Sequence, residues 1–223
     1  YQNPLAYDWS PDYRYARIAQ VLKEKKKFTI EDFQRLQHDE KSLPAVEMVA
    51  LLKEVPAALT DAVSRERAML ESWDCVLSKD SAAALVYEFW QAKTPGRLAI
   101  AEVGQEHAAL VGKNWALPVW LGILKQHPKR HEILADSLKA AVEQAEQEMG
   151  RDLASWRLGK LHTITFRHPL ANIEARQKAF NLGPIERGGD AYTPNATSGG
   201  NFKQTNGASY RHILDFADWD RSV

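Results

Sequence analysis

Hydrophobic side chains recur at helical spacing along the first two-thirds of the sequence. In "YRYARIAQVLKEKKK", Tyr13, Ile18 and Val21 follow such spacing, and the basic residues after them suit a helix C-terminus. Similar patterns fill "PAVEMVALLKEV", "AALTDAVSRERAMLESWD", "SAAALVYEFWQAK" and "HPKRHEILADSLKAAVEQAEQEMG". The third of these is predicted to be a buried helix that ends at "TPG", and the last to end at Gly150. The pattern is weaker over residues 97–125.

The clearest helix start lies in "FTIEDFQRLQHD". Thr29 stands at an N-cap position, and Asp32 stands three residues later, where a capping box places its acceptor. Phe28 and Phe33 are spaced to pack together across this start. Pro44 follows within the next pattern, where it is expected to break a helix or to begin a new one.

After Gly150 the pattern changes to alternation. The stretch "WRLGKLHTITFRHPL" predicts a strand, and residues 210–218, "YRHILDFAD", predict a second one. Two strands are too few for a stable sheet in water, so further strands are expected from sequence outside this chain. The sequence therefore predicts a helical region over residues 1–150 and a β-rich region over residues 151–223.

A glycine-rich segment, residues 188–211, joins the two predicted strands. It is crowded with Gly, Asn, Thr and Ser, but Tyr192, Phe202 and Tyr210 interrupt it. Glycine permits positive φ and close backbone approach, and short polar side chains can satisfy turn backbone groups. We therefore expect an ordered crossing whose three aromatic side chains pack on the core.

Composition narrows the classes of partner. The 223 residues are 44% hydrophobic and 26% charged, as in an ordinary globular domain. Because 29 basic side chains balance 29 acidic ones, no net charge attracts nucleic acid or an anionic membrane. Cys75, the single cysteine, is expected to be a buried residue in a helical stretch, and no apolar run is long enough to span a bilayer. Since the sequence begins at Tyr1 rather than Met, we interpret it as a piece of a longer protein.

The histidines do not predict a metal site. His127 and His131 are four residues apart, but a third ligand and an acid of a zinc motif are missing, so a solvated helix start is favoured. His162 and His168 would lie roughly 20 Å apart on a strand, which favours two independent hydrogen-bonded histidines over a catalytic base. The sequence also lacks a nucleophile elbow and the spacing of a helix–loop–helix calcium site.

Several co-linear segments carry a family resemblance. They are "KFTIEDFQRLQHDEKSLPA", "WRLGKLHTITFRHPL", "FNLGPIERGGDAYTPNA" and "GASYRHILDFADWDRS". In this order they resemble the late part of the large (beta) subunit of the penicillin acylase, or penicillin amidase, family of N-terminal nucleophile hydrolases. The resemblance implies an α+β fold, part of an αββα sandwich of two sheets between helical layers.

The same resemblance implies a self-processing amide hydrolase. Self-cleavage frees an N-terminal serine whose own α-amino group is its base, which suits neutral pH. The implied substrate is a penicillin, an N-acyl homoserine lactone or a related amide. Because Tyr1 is not a nucleophile, the catalytic Ser and the oxyanion Asn are expected upstream, and the piece alone is expected to be inactive.

Few site residues transfer to this chain. Asp215 is a candidate for the acid that some relatives place behind a second-shell histidine near their C-terminal strands. Candidate binding residues in the glycine-rich segment are Asp190, Thr193, Asn195 and Arg211, with structural support favoured over substrate contact. Arg211 is expected to pair with a carboxylate such as Asp190.

The resemblance also sets expectations for cofactors, partners and location. No cofactor is required, and calcium is possible in the full-length protein with ligands outside this chain. The expected partners are the acyl amide substrate, the small (alpha) subunit and the rest of the large subunit, with no nucleic acid and no membrane span. A periplasmic or secreted location is implied. The alternative is a non-enzymatic helical scaffold or interaction module, or an acylase relative without activity.

Overall fold

Helices come first along the chain and short strands follow. The computed structural model describes residues 10–112, 115–208 and 210–221, and the arrangement is α+β. The α-helices are α1 (Tyr13–Lys23), α2 (Ile30–Gln37), α3 (Leu43–Glu54), α4 (Ser64–Glu71), α5 (Ala82–Val111), α6 (Leu117–Gln126), α7 (Arg130–Met149), α8 (Leu158–Leu161) and α9 (Glu174–Phe180). The strands are β1 (Thr163–Phe166), β2 (Leu182–Glu186), β3 (Thr197–Ser198) and β4 (Asn206–Gly207). Short 3₁₀ turns occupy Ala57–Leu59, Asp61–Val63, Leu153–Ser155, Pro169–Asn172, Gly200–Phe202 and Trp219–Arg221. No helix within the described ranges has both the length and the apolar character to cross a membrane.

Helix α2 begins as its sequence predicts. The Thr29 hydroxyl accepts the Asp32 N–H at 3.3 Å, and the Asp32 carboxylate accepts the Thr29 N–H at 2.9 Å. The Phe28 and Phe33 rings lie 5.6 Å apart across this start. Pro44 lies in the first turn of α3, where the missing N–H costs no helical hydrogen bond. Both start signals are therefore confirmed.

Helix α5 continues beyond its predicted end at "TPG". Pro95 lies inside the helix, and Leu98 one turn later is fully buried, so the burial gained by continuing offsets the missing hydrogen bond. The helical dihedrals break at Gly104, where φ is 78° and ψ is 163°. Beyond the break the chain folds back and brings Gly112 close to Ala99. A methyl group at Gly112 would lie 2.9 Å from the Ala99 Cβ.

The hydrophobic core lies mainly between α5 and α7. Trp90 of α5 is fully buried, and its indole N–H donates to the Leu134 carbonyl of α7 at 3.1 Å. The same core includes Trp156 and Leu158, which follow the long helices. The Leu158 N–H also donates to the Ser81 carbonyl at 3.1 Å, at the start of α5. Helix α8, which directly precedes the first strand, is therefore anchored on the helical core.

The strands form two antiparallel pairs. Strands β1 and β2 pair with Ile164 opposite Ile185, and β3 pairs with β4. A parallel bridge joins Ile164 to Gln204, so β1 contacts both β2 and the end of the glycine-rich segment. The strand predicted within residues 156–170 is confirmed for Thr163–Phe166, while the residues just before it form α8.

The second predicted strand, residues 210–218, is wrong. These residues form no strand, and no strand in the described residues pairs with them. An alternating pattern of apolar and polar residues does not make a strand without a neighbouring strand to share backbone hydrogen bonds. Tyr210 is 81% exposed and does not pack on the core as expected. Phe202 does, with its ring 5.2 Å from Phe89, and Tyr192 is partly buried against the same core.

Cys75 is buried, as predicted, but it lies in the loop after α4 rather than in a helix. Its φ is 58°, a value that side chains rarely adopt. Burial raises the pKa of the Cys75 thiol, which is 3.7 Å from the Trp73 carbonyl. The sulfur is therefore held as a thiol inside the fold.

Candidate functional site

The glycine-rich segment begins with a tight turn against the helices. A methyl group at Gly188 would lie 2.4 Å from the Leu77 carbonyl, which accepts the Gly189 N–H at 2.8 Å. Gly189 has a φ of 75°, and a methyl group there would lie 2.4 Å from the Asn195 carbonyl. Any side chain at Gly188 would clash with the Leu77 carbonyl, and one at Gly189 would clash with the Asn195 carbonyl and strain a positive φ. The turn therefore requires glycine at both positions.

Asp190 and Thr193 close the turn with their side chains. The Asp190 carboxylate accepts the Tyr192 N–H at 2.7 Å, and the Thr193 hydroxyl accepts the Asp190 N–H at 3.0 Å. Both side chains therefore satisfy backbone groups, as the turn pattern predicts. Each of the two residues is buried, which fixes this part of the segment inside the molecule.

Asn195 and Arg211 form a second contact on the other side of the segment. The Asn195 side-chain amide donates to Glu40 at 2.9 Å and accepts a hydrogen bond from the Arg211 guanidinium. Arg211 also lies 3.2 Å from a ring nitrogen of His38. The expected pairing of Arg211 with Asp190 is therefore wrong, because Asp190 turns inward while Arg211 remains near the surface.

Asp190 faces two other buried titratable side chains. His162 follows α8, and its Nδ1 lies 3.2 Å from the Gly189 carbonyl oxygen. Because a carbonyl oxygen only accepts, we assign a proton to Nδ1. The other ring nitrogen, Nε2, lies 3.6 Å from the carboxylate of Glu88 on α5. The glycine-rich turn, α5 and the start of β1 thus meet at one polar cluster: Glu88, His162 and Asp190.

The environment of Asp190 strongly raises its pKa. Burial first and the Glu88 carboxylate second raise the pKa of Asp190 from 3.8 to about 7. The backbone hydrogen bonds of Tyr192 and Thr193 and the His162 ring act in the opposite direction. A carboxyl group whose pKa lies near neutrality can take up and release a proton under physiological conditions.

A cavity of about 360 Å³ adjoins this cluster. It is lined by Glu88, His162 and Asp190 and by the polar side chains of Gln91 and Gln204. Two of the carboxylate oxygens, Glu88 Oε1 and Asp190 Oδ2, are buried and accept no hydrogen bond from the described residues. Buried acceptors without donors are costly, and this cost acts with burial to favour the protonated form of Asp190.

The remaining histidines lie apart from this cluster. His127 is buried just after α6 rather than solvated at a helix start; its Nδ1 accepts the Lys129 N–H at 3.0 Å, and its Nε2 lies 3.5 Å from Glu102. His168 caps the turn at Pro169–Asn172, where its ring accepts the Leu170 N–H at 3.1 Å. Within the described part of the chain, no group of three or more His, Cys, Asp or Glu side chains is placed to hold a metal ion.

Asp215 lies in the segment that was predicted to be a strand. Its carboxylate accepts the Ala217 N–H at 3.0 Å in a short turn. The comparison that suggested Asp215 depended on its position in a strand, and that strand is absent from the described residues. Its role as the acid behind a second-shell histidine stays a prediction.

Sequence reasoning missed Glu88. The signal was a single acid inside the apolar run "SAAALVYEFW", which the burial of that helix makes unusual. Glu88 is 6% exposed and lies more than a hundred positions before Asp190, so no local motif connects the two residues. His162 was recognised, but its partners were not.

The fold and the glycine-rich crossing agree with the class that the motifs suggested. A family model described as "Penicillin amidase" matches residues 1–223, so the chain belongs to the penicillin amidase family of N-terminal nucleophile hydrolases. The match covers the whole sequence and confirms the resemblance on which the functional expectations depend.

Similar curated proteins are named acyl-homoserine lactone acylase QuiP. The protein of Pseudomonas fluorescens strain Pf0-1 is 28% identical over 170 residues, covering 66% of this chain and 20% of that protein. That of P. fluorescens strain Pf-5 is 28% identical over 218 residues, covering 82% and 26%. That of P. aeruginosa PAO1 is 27% identical over 223 residues, covering 85% and 26%. The chain thus spans a fifth to about a quarter of the length of the relatives it matches.

Proposed function

We propose that this chain is part of a self-processing amide hydrolase that removes the acyl group from an N-acyl amide. The observation that carries the proposal is the family match over residues 1–223. The nucleophile is a serine outside these residues, exposed as a new N-terminus when the precursor cleaves itself. The alternative, a scaffold or an inactive relative, would share the fold without that serine.

The proposed chemistry needs one residue for two tasks. The serine hydroxyl attacks the amide carbonyl, and the α-amino group of the same residue accepts the hydroxyl proton. An α-amine has a pKa of about 7.7–8.0, so it is a suitable base near neutral pH. Donors to the tetrahedral oxyanion supply a further large part of the rate enhancement.

Exposed apolar side chains after residue 160 support partners from the same protein. They include Phe166, Leu170, Leu182, Tyr210, Phe216 and Trp219, each more than half exposed. A face that other polypeptide covers would leave such side chains exposed in this chain alone. We propose that the small subunit and the rest of the large subunit cover it.

The relatives' printed name guides the choice of substrate. Those proteins are described as acting on acyl-homoserine lactones. We therefore propose an N-acyl homoserine lactone as the first substrate to test, with a phenylacetyl amide as the penicillin-type alternative.

The test uses the full-length precursor. It is incubated with a long-chain N-acyl homoserine lactone or with a chromogenic phenylacetyl amide, and the released amine is measured. We expect the precursor to cleave into two chains, and mass spectrometry of the new N-terminus to identify Ser. Replacing that residue with Ala should abolish hydrolysis. A precursor that stays intact and hydrolyses neither substrate would contradict the proposal and favour the scaffold.

A further inference from the structure

Three buried titratable side chains connect the glycine-rich turn, residues 188–197, to the helices. Glu88 belongs to α5, His162 precedes β1, and Asp190 lies in the turn itself. The His162 ring lies between the other two elements, because its Nδ1 is 3.2 Å from the Gly189 carbonyl oxygen and its Nε2 is 3.6 Å from Glu88. The turn is therefore attached to α5 through groups that can gain or lose protons.

The charges of this cluster depend on the proton of Asp190. Glu88 raises the pKa of Asp190, whereas His162 lowers it and so acts on Asp190 as a positive charge. One positive ring can compensate one buried carboxylate but not two. Asp190 Oδ2 and Glu88 Oε1 are also buried and accept no hydrogen bond from the described residues. A proton on Asp190 therefore keeps the buried cluster close to neutral.

Two phenols also face Asp190, and they do not change this balance. They belong to Tyr87 of α5 and Tyr192 of the turn. Burial first, and then the Asp190 carboxylate, raise the pKa of each phenol, so both remain neutral around pH 7. Asp190, whose pKa is about 7, gains or loses its proton in this same range.

Backbone hydrogen bonds along the turn report whether it is closed. The Gly189 N–H donates to the Leu77 carbonyl at 2.8 Å, and the Asn195 N–H donates to the Asp39 carbonyl at 2.8 Å. Within the turn, the Asp190 carbonyl accepts the Thr197 N–H at 2.9 Å. Opening of the turn breaks such bonds and exposes these amides to water.

We propose that the glycine-rich turn is a pH-sensitive switch that closes on α5. With a proton on Asp190, the turn packs against Glu88 and His162. Loss of this proton places a second carboxylate beside Glu88 in a buried site, so the turn opens and exposes Asp190 to water. The closed turn bounds the cavity of about 360 Å³ through Asp190, Ala191 and Tyr192, so its opening widens access to that cavity.

The size of the effect follows from the two states of Asp190. In the closed turn its pKa is about 7, and in an opened turn the hydrated carboxyl has its ordinary value of 3.8. Because the closed state holds the proton more tightly, closure is favoured at low pH, and this preference is lost as pH rises through 7. The equilibrium constant for opening therefore rises about tenfold between pH 6 and pH 8 and changes little above pH 8.

Hydrogen–deuterium exchange of the full-length protein at pH 6, 7, 8 and 9 tests the switch. Protection factors correct for the intrinsic effect of pH on exchange. We expect the protection of residues 189–197 to fall about tenfold between pH 6 and pH 8 and to level off at pH 9. The amides of α7 are the reference for global unfolding. Low urea should speed their exchange but not that of the turn, because a local opening exposes little surface.

Two variants and a control test the residues. The amide of Asp190→Asn can still accept the Tyr192 N–H but carries no charge, so protection of the turn should become independent of pH. Glu88→Gln removes the second cause of the raised pKa and leaves burial, the first, so the pH effect should shrink without vanishing. Asp152→Asn is the matched control. Its carboxylate likewise accepts an N–H two residues on, from Ala154 at 3.0 Å, but it is exposed, and the exchange of the turn should not change.

Three results would overturn the proposal. They are equal protection of the turn at pH 6 and pH 8, an unchanged pH effect in Asp190→Asn, and a turn with the same protection and urea dependence as α7. The last result would mean that the turn opens only when the whole fold unfolds. If Asp190→Asn does not fold, Glu88→Gln decides in its place, because an undiminished pH effect in that variant contradicts the switch equally.

Discussion

Asp190 shows how burial changes the chemistry of one side chain. Its carboxylate holds the turn by accepting the Tyr192 N–H, and the turn carries it into the cluster with Glu88. The turn role could be predicted from "GGDAYT", because the signals are local. The perturbed pKa could not, since it depends on a helix far away in the sequence.

The pH dependence of stability follows from the raised pKa of Asp190. Folding raises this pKa from 3.8 to about 7, so the folded state holds the proton more tightly than the unfolded state. The resulting stabilisation is fully present below about pH 4 and is lost as pH rises through 7. We expect this contribution to the free energy of unfolding to fall by roughly 1–4 kcal/mol over that range.

Urea unfolding at a series of pH values measures this slope, and Asp190→Asn is the control. The amide cannot titrate, so the variant should lose this part of the pH dependence. An unchanged slope in the variant would show that other groups cause it.

At the scale of elements, local signals predicted helix starts better than helix ends. Thr29 and Pro44 act through neighbouring backbone groups, so their effects were readable in sequence. The prediction that the helix ends near Pro95 was wrong. The backbone hydrogen bond that proline removes is evident from the local sequence, whereas the burial of Leu98, which offsets this loss, depends on the fold. Residues 210–218 were wrongly predicted to form a strand, because a strand needs a neighbouring strand as hydrogen-bond partner and the local sequence does not show one.

The break in α5 gives a prediction about backbone strain. Gly104 has φ 78° and ψ 163°, a region almost restricted to glycine, but an added methyl group would meet nothing within 4 Å. We expect Gly104→Ala to lower the free energy of unfolding by about 1–3 kcal/mol through conformation alone.

Gly96→Ala is the matched control in the same helix. The space around Gly96 is equally open, but its backbone is helical, so alanine should stabilise the protein by about 0.5–1 kcal/mol. Thermal unfolding of both variants measures the difference. Equal effects of the two substitutions would contradict the assigned break.

At the scale of the whole molecule, the helices and the strand-bearing part share one core. Trp156 is 1% exposed and packs with the residues of α5 and α7. The four strands of the described residues all lie after residue 150, together with two short helices, and the division into a helical and a β-rich region stays a prediction. Their common core could not be predicted, because it depends on how the chain returns to the start of α5.

A pair of tryptophan variants tests this common core. Trp156→Ala should lower the free energy of unfolding by about 3–5 kcal/mol, because it leaves a large cavity. Trp219→Ala removes a side chain that is 64% exposed and should change it by about 0.5 kcal/mol or less. Helical circular dichroism during urea unfolding is the measurement. A helical transition unaffected by Trp156→Ala would show that the two parts unfold separately.

Cys75, the single cysteine of this sequence, can report local unfolding of the loop after α4. The thiol is buried and burial raises its pKa, so an alkylating reagent reaches it only when this loop separates from the core. The rate of alkylation under native conditions therefore measures how often the loop opens, and no label has to be introduced.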